Sequence, residues 1–112
     1  MKNSTPGRRL GKAQLDALVE EATVDAYGES EQACGLFTMM EEHLQLPFAA
    51  RVLDVDLTVE GVDLTVDNEI VALCRRGAAR QTISILDLQI GEPAPEEAEW
   101  IAAYRHWRKG WQ

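Results

Sequence analysis

Carboxylates are the side chains of this sequence most able to do chemistry. Residues 13–74 carry 14 acids and a single base, Arg51, a local net charge of −13. Three groups stand out. Asp54, Asp56 and Glu60 alternate with Leu53, Val55, Leu57 and Val59, the period of a strand with one apolar and one acidic face. Asp63, Asp67, Asn68 and Glu69 follow, with Asp67-Asn68 reading as a hairpin tip. Asp25, Glu29 and Glu31 flank Gly28 in a short polar corner. Like charges at such spacing repel, and a divalent cation removes that penalty. Calcium takes six to eight oxygens at ~2.3–2.6 Å, in irregular geometry, from carboxylates, amides and backbone carbonyls. A turn of Asp, Asn and Glu offers all three. Magnesium demands near-octahedral geometry and fits less well. The plainer alternative is a solvated strand face, a polar turn, and acids that complement a helix dipole.

No EF-hand is present. A loop opening at Asp54 has Asp56 at its third position and Thr58 at its fifth, but Val59 stands where the sixth-position glycine belongs and Thr65 replaces the twelfth-position glutamate. A calcium site must therefore draw on residues distant in sequence. The run Glu41-Glu42-His43 offers no site by itself, because adjacent helical residues do not face each other.

Enzyme chemistry finds little to use. The two histidines, His43 and His106, fall in different predicted helices, and Cys34 and Cys74 are not arranged as CxxC. A Cys–His dyad is a weaker reading than buried structural thiols. The nucleophile-elbow, zinc-protease, phosphate-loop and dinucleotide-binding motifs are absent. The expectation is a binding protein, not an enzyme. With 19 acids against 11 bases the net charge is −8, so nucleic acid and anionic membranes are poor partners. Cations, or a basic protein surface, are better ones.

The elements that must position these groups follow from periodicity. Lys12–Tyr27 predicts an amphipathic helix (Leu15, Leu18, Val19, Ala22 and Ala26 on one face) with Gly28 as its left-handed C-terminal residue. Ser30 predicts the cap of a second helix reaching about Gln45, with Ala33, Leu36, Phe37, Met40 and Leu44 as its stripe. Gly35 inside it suggests a close helix crossing, and Pro47 ends it. Strands follow over 53–60 and 62–66, with Gly61 as a bulge or turn between them, then over 69–74 and 81–88, with Arg76-Gly77 as another turn. Gly91–Pro95 reads as a linker. Pro95 opens a last helix to Arg108, striped by Trp100, Ile101, Tyr104 and Trp107.

The order predicts an α+β fold: an antiparallel meander of three to five strands flanked by two N-terminal helices and one C-terminal helix. Its 112 residues suit one domain. Residues 1–11 are expected to be a flexible segment and 12–112 a single monomeric domain. No apolar run is long enough to span a membrane. The basic N-terminus lacks the apolar stretch of a secretory signal, and the sparse cysteines suit a reducing compartment, so a cytoplasmic location is expected.

Five blocks then appear in order: DAYGESEQ (Asp25 to Gln32), LPF (Leu46 to Phe48), EIVALCRRG (Glu69 to Gly77), ISILDL (Ile83 to Leu88) and AEWIAAYRHW (Ala98 to Trp107). Together they resemble the CcbP-type calcium-binding proteins, a small non-EF-hand family associated with cyanobacterial calcium regulation. The resemblance implies a β-sheet flanked by helices that binds calcium through surface carboxylates, as a buffer in signalling. It carries over Asp25, Glu29 and Glu31 as family positions and matches Asp63, Asp67 and Glu69 to an acidic strand-turn-strand region. Asn68 is neutral and Val66 apolar where relatives are expected to be more acidic. The expected function is calcium binding, as buffer or sensor, through Asp25, Glu29, Glu31, Asp54, Asp56, Asp63, Asp67 and Glu69. The alternative is an acidic module that docks on a basic protein without metal.

Overall fold

Helical periodicity gives way to a period of two at Phe48, and the backbone changes there too. The computed structural model describes residues 10–110, so the expected flexible N-terminal segment lies almost entirely outside the described residues. Helix α1 spans Lys12–Ala22 and α2 spans Glu29–His43. Helix α1 stops five residues short of the predicted end. The Thr23 hydroxyl donates to the Val19 carbonyl at 2.7 Å, and the α2 backbone at Gly35 lies directly against Ala22. A Cβ on Gly35 would stand 2.2 Å from the Ala22 carbonyl oxygen. The glycine thus marks the close crossing that its position implied.

Gly28 belongs to α2 rather than α1: it is the extended N-cap of α2, and Ser30 lies inside the first turn. Because Gly28 has no side chain to cap with, Glu31 reaches back instead, its Oε1 accepting the Tyr27 N–H at 2.9 Å. Ala33, Leu36 and Met40 of the predicted stripe are fully buried.

The predicted strands 53–60 and 62–66 are one bulged strand, and it is preceded by a strand that the prediction lacks. Strand β1 spans Phe48–Val52 and β2 spans Val55–Leu64. They pair antiparallel with Val52 opposite Val55, so Leu53 and Asp54 form the whole connection. Both have positive φ, 48° and 65°, the geometry of a tight hairpin turn whose twist matches the strands. Sequence alternation runs straight through this turn, because Leu-Asp carries none of the Asn or Gly that normally announces it.

The remaining strands are β3 (Ile70–Arg76), β4 (Ala79–Ser84) and β5 (Gln89–Ile90), and the sheet order is β4-β3-β2-β1-β5. All pairings are antiparallel. The bulge expected near Gly61 is present: Val59 pairs with Cys74, but Gly61 pairs with Leu73. It resets the alternation, so that Val62 and Leu64 pack on the same core as Leu57 and Val59. The predicted strand 81–88 ends at Ser84, whose hydroxyl accepts the Leu86 N–H at 3.2 Å and opens a 3-10 turn over Ile85–Asp87.

Helix α3 spans Glu99–Arg108 and begins four residues after Pro95, since Glu97 takes a positive φ of 65°. Trp100, Ile101, Ala103, Tyr104 and Trp107 bury its face. They pack with Val19, Leu36 and Met40 against Leu57, Val59, Ile70 and Ala72. The fold is α+β: three helices and a five-stranded antiparallel sheet share one core, with β1–β4 as a meander and β5 returning to pair with β1. No described helix is long and apolar enough to cross a membrane.

Candidate functional site

The register of β2 separates the acidic groups before any side chain is considered. Asp54 and Asp56 stand at the end of β2 that meets β1, and Asp63, Asp67 and Glu69 at the end that turns into β3. Asp56 and Asp63 are seven residues apart along one strand, roughly 20 Å at ~3.3 Å per residue. One ion cannot bridge that gap.

At the β1–β2 end Asp56 is neutralised, while Asp54 forms no ion pair among the described residues. Asp54 lies in the turn and not on the strand face shared by Asp56 and Glu60, contrary to the sequence expectation. Arg51 faces Asp56 across the hairpin and donates through Nε to Oδ1 at 2.8 Å. That hydrogen bond pushes the guanidinium pKa up. Glu60 meets Arg75 of β3 at 2.6 Å, and Arg75 pairs across the sheet with Arg80 of β4. Antiparallel pairing therefore lays Arg75, from beyond the acidic segment, beside Glu60 within it.

The β2–β3 end is built differently. Thr65 does the structural work: its N–H donates to the Glu69 carbonyl at 2.9 Å, its carbonyl accepts the Asn68 N–H at 3.0 Å, and its hydroxyl accepts from the Asp67 and Glu69 N–H groups at 3.2 and 3.1 Å. Asn68 takes the left-handed conformation, φ 67°, which Asn tolerates better than most residues. Asp63 Oδ1 accepts the Leu64 N–H at 2.8 Å. Asp63, Asp67 and Glu69 form no ion pair among the described residues, and neither do Asp25, Glu29 and Glu31 at the α1–α2 corner. Of that corner, Glu31 is committed in part to the Tyr27 amide, while Asp25 and Glu29 are exposed.

Helix α3 touches both of these turns. The Tyr104 hydroxyl, fully buried, accepts the Ile70 N–H at 3.0 Å, just past Glu69. One helical turn on, Trp107 Nε1 donates to Gln32 Oε1 at 2.9 Å, beside Glu31. Between them, Arg105 Nη2 donates to the Ile85 and Leu88 carbonyls at 2.7 and 2.6 Å. Burial lowers the Arg105 pKa.

His106 Nε2 lies 2.7 Å from Asp16 Oδ1 on α1, and Lys12 reaches Asp16 from one turn away at 2.7 Å. The Lys12 hydrogen bond first, and that of His106 second, hold the Asp16 carboxyl below its ordinary value of 3.8. A depressed carboxyl contributes stability above its unfolded pKa and loses it as pH falls through the folded one. Asp16→Asn should therefore flatten the acid limb of a stability profile below pH 3.8. No spacing rule finds this pair, whose members lie 90 residues apart.

The donor set suits a hard cation: carboxylates and the Asn68 amide. Yet among the described residues no three His, Cys, Asp or Glu side chains stand close enough to hold a metal ion together. The eight carboxylates expected as ligands occupy three places: Asp25, Glu29 and Glu31 at the helical corner, Asp54 and Asp56 at one sheet end, and Asp63, Asp67 and Glu69 at the other. His43 and Glu42 are exposed and 4.0 Å apart. Cys34 is exposed, and Cys74 is buried, which raises its thiol pKa.

Comparison with known proteins identifies the class. The sequence profile of the CcbP calcium-binding family matches residues 16–108. The chain belongs to that family. Two solved structures share its fold. Anabaena CcbP is 17% identical with a TM-score of 0.76, covering 89% of this chain and 93% of that one. A calcium-binding protein in its calcium-binding form is 18% identical with a TM-score of 0.69, covering 90% of this chain and 94% of that one. No protein of curated function matches the chain significantly.

Proposed function

We propose that this protein binds calcium ions through surface carboxylates and serves as a buffer or sensor, not as an enzyme. The observation that carries this reading is the family match across residues 16–108. The charge supports it, since the described structure leaves Asp63, Asp67 and Glu69 without a basic partner while Asp56 has Arg51. The favoured ligand positions are therefore the β2–β3 turn and the α1–α2 corner. Asp54 and Asp56 are the weakest of the eight. Because no three acids are gathered in advance, each turn would complete its oxygen shell with the Asn68 amide, backbone carbonyls or water. We place the protein in the cytoplasm as a single monomeric domain over residues 12–112.

An ion that binds only the folded chain raises stability by RT ln(1 + [L]/Kd), roughly 2.7 kcal/mol at a hundredfold excess over Kd. Melting in millimolar calcium against chelator should show that rise, and calorimetry in physiological salt should show saturable heats. Superimposable melting curves and featureless dilution heats would remove the reading.

A second reading has one observation in its favour. Val24 and Tyr27 are 77% and 92% exposed in the acidic α1–α2 connection. Apolar side chains set among carboxylates suit docking on a basic protein surface, without metal and with strong salt sensitivity.

A further inference from the structure

Four consecutive residues of α3 each hold a different element. Tyr104 reaches the start of β3, Arg105 the 3-10 turn, His106 helix α1 and Trp107 the first turn of α2. Successive helical side chains point about 100° apart, so four in a row address every side of the helix. Arg105 and His106 fix where the last turn of α3 sits. Tyr104 and Trp107 touch the flanks of the two unpaired acidic turns, and their rings lie 6.1 Å apart at 31°. Arg108 closes over the Tyr104 ring at 6.0 Å. Ile70 directly follows Glu69, and Gln32 directly follows Glu31. Neither contact is an exposed surface bond: Tyr104 is 0% and Trp107 8% exposed.

We infer that Tyr104 and Trp107 are positioning residues for the two acidic turns and link one turn to the other. A displacement at residues 65–69 moves the Ile70 amide against a buried hydroxyl. The tyrosine ring passes that movement to the indole, and the indole to Gln32 at the head of α2. This gives the calcium reading a regulation, namely that occupying one turn alters the other. Its use rests on that reading, while its structural test does not.

The test is residue-resolved amide hydrogen exchange on Tyr104→Phe, which keeps the ring and removes the acceptor. A buried amide left without a partner is costly. Ile70 should exchange about tenfold faster, and Gln32 and Ala33 several-fold faster. Ile83→Val, which trims the core away from α3, should leave the Gln32-to-core ratio at its wild-type value. Acceleration confined to Ile70 and its neighbours overturns the link. Should Tyr104→Phe not fold, Trp107→Phe is read in the opposite direction: a faster Ile70 supports the link, and an unchanged one overturns it. Calcium titration separates the two claims. Wild type that binds no calcium sinks the proposed function, and the link is then judged by exchange alone. Wild type that binds, with Tyr104→Phe binding equally well, overturns the positioning role.

Discussion

The two hairpin tips at opposite ends of β2 look alike as sequence and differ as structure. Each is acidic, and each interrupts an alternating apolar run. The β1–β2 tip is two residues long; Arg51 sits opposite Asp56 just beyond it, while Asp54 within it forms no ion pair among the described residues. The β2–β3 tip is longer, is framed by Thr65, and is anchored to the core by the Tyr104 hydroxyl. Its carboxylates take no part in any ion pair among the described residues. Acidic composition is therefore not the same as available charge. What separates Asp56 from the carboxylates of the other tip is that the fold places a base across the strand from it.

Three experiments sharpen that contrast, beginning with the largest effect. Changing Asp63, Asp67 and Glu69 together to their amides should abolish calcium heats at that turn, while Asp54→Asn with Asp56→Asn should leave them intact. The reverse pattern, measured by calorimetry, would move the site to the other end of the sheet. Next, Leu53→Asn with Asp54→Gly should stabilise the chain by about 1 kcal/mol, because both residues hold positive φ that L side chains disfavour. Urea unfolding checks this, and equal or lower stability would argue against the tight turn. Smallest, Arg51→Ala should cost no more than ~1 kcal/mol, since exposed ion pairs contribute little. If the β1–β2 tip gains calcium affinity in that variant, neutralisation by Arg51 was what silenced it.

Much of the architecture was legible from residue types. The apolar stripes Ala33-Leu36-Met40 and Trp100-Ile101-Tyr104-Trp107 are buried as their spacing requires. Gly35 marks a crossing and Gly61 a bulge. The misreadings share one cause, that local signals were weaker than tertiary ones. Leu53-Asp54 turns because strand pairing imposes it on an unsuited dipeptide. Helix α1 ends early because α2 crosses at Ala22. Helix α3 starts late because Glu97 breaks the helical conformation. Of the candidate site, the sequence showed which residues carry charge but not which lack partners. Arg51, Arg75, Tyr104 and Gln32 reach their partners through pairing and packing that no motif encodes.

By itself the chain's amino-acid order settled its layers, its family and its wealth of oxygen donors. These depend on hydrophobic period and residue chemistry, which are local properties. Only the folded molecule decided which carboxylates keep their charge available and which are matched by guanidinium groups. Coulombic neutralisation acts over a few ångströms in space, and neighbours at that range are chosen by strand register and helix packing.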